Sequence, residues 1–264
     1  MRDWNGWYSQ WDKGFSVGMV LLGTVVVVCA AIGWPLGSLS RAAVSIAGVL
    51  WSVGWLTALY RSVPEHTPAD RITTLRLGFG SGAVLLLVAA ELIPFVEPTD
   101  PGYRTLFVLF LLLAVLSDFF DGRVARRTAP SRFGGDWDMQ NDAAFAMLLS
   151  IAAVVFVGFD SWVILIGLAR YLYVIAVPSA HEKVQTPRSY ELYGKAVCAV
   201  TVISLAAAVA DGDTGSALTA ALAVSLAAVV SSFGWFTYLL KRERVAGTYI
   251  TPGTHGSKRI STID

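Results

Sequence analysis

Charge is scarce in this sequence. Only 15% of its 264 residues are Asp, Glu, Lys or Arg, against about 25% in a soluble globular domain. Cysteine is scarcer still. Cys29 and Cys198 both sit in apolar runs, with no CxxC and no histidine cluster beside them. That argues against a disulfide framework or a zinc site and leaves both as small buried hydrophobes. His66, His181 and His255 fall in separate connections without metal-ligand spacing. The net charge of +1 carries no footprint for nucleic acid. What fills the chain is hydrophobic: 55% of residues, a mean hydropathy of +0.60, and nearly charge-free runs of membrane-spanning length, which is about 20 residues.

Eight spans are expected, at 16–34, 42–60, 73–95, 104–121, 138–157, 161–178, 195–210 and 217–240. Between them lie turn signals, among them Trp34-Pro35-Leu36-Gly37, Gly158-Phe159-Asp160 and Asp211-Gly212-Asp213. The first apolar run is followed by no A-x-A cleavage pattern, so it reads as a retained helix. Basic residues set the orientation. With a cytoplasmic N-terminus, all of the 20 Lys and Arg fall on the inner side except Arg41, Arg104 and Arg170, while the outer loops carry Glu97, Asp100, Asp160, Asp211 and Asp213. The expected fold is an all-α, polytopic membrane helix bundle. Residues 1–67 form a two-helix N-terminal extension, 68–240 a six-helix core and 241–264 a polar cytoplasmic tail. A multi-pass protein of a bacterial inner membrane is the matching location.

The acidic residues that do occur are concentrated. The fourth span ends in Asp118-Phe119-Phe120-Asp121-Gly122-Arg123-Val124-Ala125-Arg126, and the fifth opens with Gly134-Gly135-Asp136-Trp137-Asp138-Met139-Gln140-Asn141-Asp142. Asp118 and Asp121 share one helical face, as do Asp138 and Asp142. A short loop makes the two helices antiparallel neighbours, so four carboxylates converge at the membrane edge. Asp136 reads as a cap at the start of the fifth span. Clustered carboxylates in a partly apolar site need pairing, protonation or a cation. An all-oxygen set points to Mg²⁺ or Mn²⁺, and such ions clamp diphosphate oxygens in phosphoryl-type transfer. Arg126, Arg127 and Arg132 stand nearby as anion contacts.

These residues resemble the signature of the CDP-alcohol phosphatidyltransferases, D-x2-D-G-x2-A-R-x8-G-x3-D-x3-D. Every signature residue is present, from Asp118 through Gly122, Ala125 and Arg126 to Gly134, Asp138 and Asp142, with a connecting segment one residue shorter. The resemblance implies that Asp118, Asp121 and Asp138 bind metal and the CDP moiety. It makes Asp142 the general base on the acceptor hydroxyl, in reach of a second metal. Gly122 and Ala125 would admit the nucleotide close to the helix, and Arg126 would meet a phosphate. Asp70-Arg71-Ile72-Thr73-Thr74-Leu75-Arg76 resembles the family's P-N-x-(L/I)-T-x2-R element, which makes Thr73 and Arg76 nucleotide contacts, with N-capping and membrane anchoring as the alternative. The family also implies a homodimer among membrane lipids.

Arg170 lies within a span and therefore needs an acceptor, either an aspartate or a bound phosphate. Tyr193-Gly194-Lys195 resembles the family's G-K element. Arg132, Arg170 and Lys195 together would form an anion pocket. The expected reaction moves a phosphatidyl group from CDP-diacylglycerol to a polar alcohol with release of CMP, and the basic pocket favours glycerol 3-phosphate. Inositol phosphate, serine, or CDP-choline or CDP-ethanolamine with diacylglycerol remain open. A cation-coupled transporter is the rival of another class. It lacks the broken helices in matching halves that such proteins show.

Overall fold

The computed structural model describes residues 4–31, 38–62, 67–93, 101–125, 134–177 and 186–245. Eight α-helices follow one another, and there is no strand among the described residues. They are α1 (Trp4–Ala31), α2 (Ser38–Arg61), α3 (Pro68–Leu92), α4 (Pro101–Ala125), α5 (Gly134–Ala152), α6 (Ile164–Ala176), α7 (Arg188–Asp211) and α8 (Ser216–Val245). Six apolar stretches are long enough to cross a membrane, on α1, α2, α3, α5, α7 and α8. Among the described residues, the apolar segments Pro101–Ser117 on α4 and Ser161–Ala176, which joins a 3₁₀ turn at Ser161–Val163 to α6, are shorter. The chain is a polytopic helical membrane bundle.

Helix ends follow local chemistry. α3 opens with a capping box: the Asp70 N–H donates to Thr67 Oγ1 at 3.3 Å, and the Thr67 N–H donates to Asp70 Oδ2 at 2.8 Å. Pro68 takes the first helical position, where its missing N–H costs nothing. α5 continues as a π turn over Ala153–Val157 and stops at Gly158, whose φ of 90° suits glycine. Gly212 ends α7 in the same left-handed region. Asp136, expected as a cap, instead stands in the first turn of α5, because the helix already begins at Gly134.

The bundle is graded from centre to rim. α5 sits in the middle, packed against α3, α6, α7 and α2, and twelve of its residues are buried. α8 lies at the edge, with 11% of its apolar window buried. Its outward Val224, Val230 and Tyr238 match a lipid-facing helix, where apolar exposure is no penalty. α1 packs mainly on α6, and α2 on α3 and α5. A Cβ added at Gly167 of α6 would come within 2.6 Å of Met147 Cα on α5. The missing side chain therefore lets these two helices approach, one turn from Arg170.

Candidate active site

Two contacts lock the start of α5 to α3. The Trp137 indole N–H donates to the Asp70 carbonyl at 3.1 Å, and Trp137 is 1% exposed. Two turns along α3 from Asp70, the Arg76 guanidinium reaches α5 and forms ion pairs with Asp138, at 3.2 Å, and with Asp142. Arg76 is 2% exposed, whereas the Asp138 and Asp142 side chains keep 45% and 22% of their surface. One buried cation thus balances two carboxylates that stand one helical turn apart and open outward. The sequence led Arg76 and Thr73 to be read as nucleotide contacts. Here Arg76 meets the carboxylates, and the buried Thr73 hydroxyl donates to the Ala69 carbonyl at 3.2 Å.

Asp142 has a third neighbour that sequence reasoning missed. The Cys198 thiol donates to Asp142 Oδ2 at 3.3 Å. Cys198 was expected to be an inert hydrophobe. Its place three residues after Lys195, on the same face of α7, was the signal that could have drawn attention to it.

A cavity of about 380 Å³ opens beside these groups, lined among others by Asp138, Asp142, Arg170, Lys195, Cys198 and Thr201. Its size suits a small ligand. The buried Thr201 hydroxyl has no hydrogen-bond partner among the described residues. Sequence-predicted Arg170 and Lys195 therefore do share one wall with the two aspartates. Lys195 is exposed. Arg170 is engaged from behind: its Nη1 and Nη2 donate to Asp12 Oδ1 and Oδ2 at 3.2 and 3.0 Å. Gln140 Nε2 donates to the same Asp12 Oδ1 at 2.7 Å and to the Tyr8 hydroxyl at 2.9 Å. Asp12 was not singled out in the sequence. It stands beside Lys13 and ahead of the first expected span, 16–34, where an acid needs no buried partner.

Asp118, Asp121, Gly122 and Ala125 stand on the last turns of α4, but their side chains lie outside the described residues, as do Arg126, Arg127 and Arg132 entirely. Among the described residues no group of three or more His, Cys, Asp or Glu side chains converges as a metal site. The half of the expected set that is described does fit a hard divalent cation. It offers oxygen donors only, at helical i, i+4 spacing, on carboxylates that face a cavity.

No curated protein and no solved structure matches the chain. A family model does, that of the CDP-alcohol phosphatidyltransferases, enzymes that transfer a phosphatidyl group from a CDP-alcohol to an acceptor; it covers residues 66–238. The matched stretch takes in the whole of α3 to α7 and most of α8, and the Arg76–Asp138–Asp142 cluster lies inside it, so the chain belongs to the CDP-alcohol phosphatidyltransferase family.

Proposed function

We propose that the protein transfers a phosphatidyl group from CDP-diacylglycerol to a polar alcohol and releases CMP, with the site at the cytoplasmic face. The observation that carries this reading is Asp142: a cavity-facing carboxylate positioned by Arg76 and Cys198, one turn from a second carboxylate. The acceptor hydroxyl binds in the cavity and loses its proton to Asp142. Its oxygen attacks the β-phosphorus of the donor, and the bond from that phosphorus to the bridging oxygen breaks as CMP departs. A general base must lie within hydrogen-bond reach of the proton that it takes, which the cavity wall allows. Asp118, Asp121, Asp138 and Asp142 are the residues that would hold Mg²⁺ or Mn²⁺. When bound, the ion supplies charge neutralisation for the donor's diphosphate. Arg76 balances the carboxylates and sets their spacing.

Glycerol 3-phosphate remains the acceptor that Lys195 favours, with its ammonium beside the cavity as a phosphate contact. An unphosphorylated alcohol is the second reading. The observation in its favour is the hold of Asp12 on Arg170, which takes one cation out of the anion pocket.

The test is to supply purified protein with CDP-diacylglycerol, Mg²⁺ or Mn²⁺ and a panel of alcohols, and to measure CMP release. We expect release that depends on one alcohol and is abolished in Asp142→Asn, with that variant still monodisperse in detergent. Turnover of Asp142→Asn at the wild-type rate would remove Asp142 as the base.

A further inference from the structure

α1 lies outside the stretch matched by the family, yet it supplies the counter-charge of Arg170, a residue of the cavity wall. Asp12 is fully buried, and both of its oxygens are occupied by the Arg170 guanidinium in a two-pronged pair. Gln140, which adds a third hydrogen bond to this carboxylate, stands midway between Asp138 and Asp142 on α5. The N-terminal extension is thereby joined both to the acceptor side of the cavity and to the helix that carries the aspartates.

The electrostatic consequence is local. An uncompensated guanidinium in a partly desolvated wall attracts an anionic ligand as a full positive charge. A guanidinium with a carboxylate fixed at its rear presents only a dipole, whose field falls off faster. We propose that Asp12 is a specificity-determining residue: it holds back the charge of Arg170 and so sets how strongly the cavity favours phosphorylated over unphosphorylated acceptors. This rests on the proposed phosphatidyl transfer to an alcohol.

The experiment compares matched acceptors, glycerol 3-phosphate with glycerol and inositol 1-phosphate with inositol, in the full-length protein. The readout is the ratio of kcat/KM for the phosphorylated over the unphosphorylated member. Asp12→Asn is expected to raise this ratio by about tenfold or more, as an unscreened charge near the acceptor implies. Asp12→Asn leaves Arg170 bare, which can cost folding. The double variant Asp12→Asn/Arg170→Gln removes both charges and leaves no buried ion unpaired. Its ratio is expected to stay within about threefold of wild type, since a cancelled pair and a neutral pair exert similar fields. A ratio that is unchanged or lower in Asp12→Asn overturns the proposal. So does a fall of about tenfold in the double variant, because that would mean that Arg170 grips the acceptor phosphate while paired. Where Asp12→Asn does not fold, Arg170→Gln is read beside the double variant: the uncancelled Asp12 charge is expected to lower the ratio by about tenfold, and an unchanged ratio there overturns the proposal. Absence of CMP release from the wild type with every acceptor would remove the proposed function itself. Release with an unshifted ratio in Asp12→Asn refutes the role of Asp12 alone.

Discussion

Arg76→Gln tests how the site is held together. The substitution keeps a long polar side chain but withdraws the cation shared by Asp138 and Asp142. Carboxylates at i, i+4 lie roughly 6 Å apart, and at an effective dielectric near 20 their repulsion is about 3 kcal/mol. Asp138 is 45% exposed, so solvent screens much of this and about 1 kcal/mol remains. Loss of the charge-assisted hydrogen bond to the more enclosed Asp142 adds about 2 kcal/mol. The sum, about 3 kcal/mol, corresponds to roughly a hundredfold in rate if it is felt in the transition state. The assay is steady-state CMP release with Mg²⁺ titrated at each acceptor concentration. We expect kcat to fall by about two decades, with partial recovery in Arg76→Lys. A second readout is thermal unfolding in detergent. Without Arg76 a divalent cation becomes the main counter-charge, so Mg²⁺ should raise the midpoint more in the variant than in the wild type. A variant that keeps kcat within about threefold of wild type, with no added response to Mg²⁺, would refute the view that Arg76 organises the two carboxylates.

Cys198→Ala removes a weak donor to Asp142 and is expected to lower kcat by less than about tenfold, whereas alkylating the native thiol with N-ethylmaleimide should stop turnover. The alanine variant should resist the reagent, and equal sensitivity of both proteins would detach the thiol from the site. Gly167→Val drives a side chain into the Met147 backbone, and overpacking of this kind costs about 1–3 kcal/mol. A lowered thermal midpoint is the check, and an unchanged midpoint would mean that α5 and α6 are not tightly apposed. Chelation with EDTA should abolish CMP release, and Mg²⁺ or Mn²⁺ should restore it. Full activity after exhaustive chelation would exclude a metal from the reaction.

The helices were legible because spans in a membrane are written as uninterrupted apolar runs, and the glycines that end α5 and α7 sit in clusters that mark turns anywhere. Helix ends were less so. The seventh span reads from 195, yet α7 begins at Arg188, since a polar helical turn beyond the bilayer leaves no trace in hydropathy. The aspartates on α5 were legible from spacing alone. Their partner was not. Arg76 stands 62 positions before Asp138, on a helix of its own, and nothing local in either segment encodes that meeting. Asp12 is the sharper case. Its sequence neighbourhood resembles an ordinary interfacial segment, and only the packing of α1 on α6 reveals what it binds. Cys198 was misread because burial and hydrogen bonding look the same from composition. Arg170 was expected to meet either an aspartate or a phosphate, and the fold gives it an aspartate, Asp12, while Lys195 is left exposed.

The Asp12–Arg170 pair joins residues 158 positions apart, and this has a consequence for biogenesis. At about 5–20 residues per second, α1 is made roughly 8–30 s before α6. During that interval the Asp12 carboxylate stands without its cation near the start of the apolar stretch Tyr8–Val28, at the edge of the membrane. The first helix enters on its charge-free stretch, 14–31, while its first turns wait for the sixth helix to fix them, so the pair acts as a late latch in assembly.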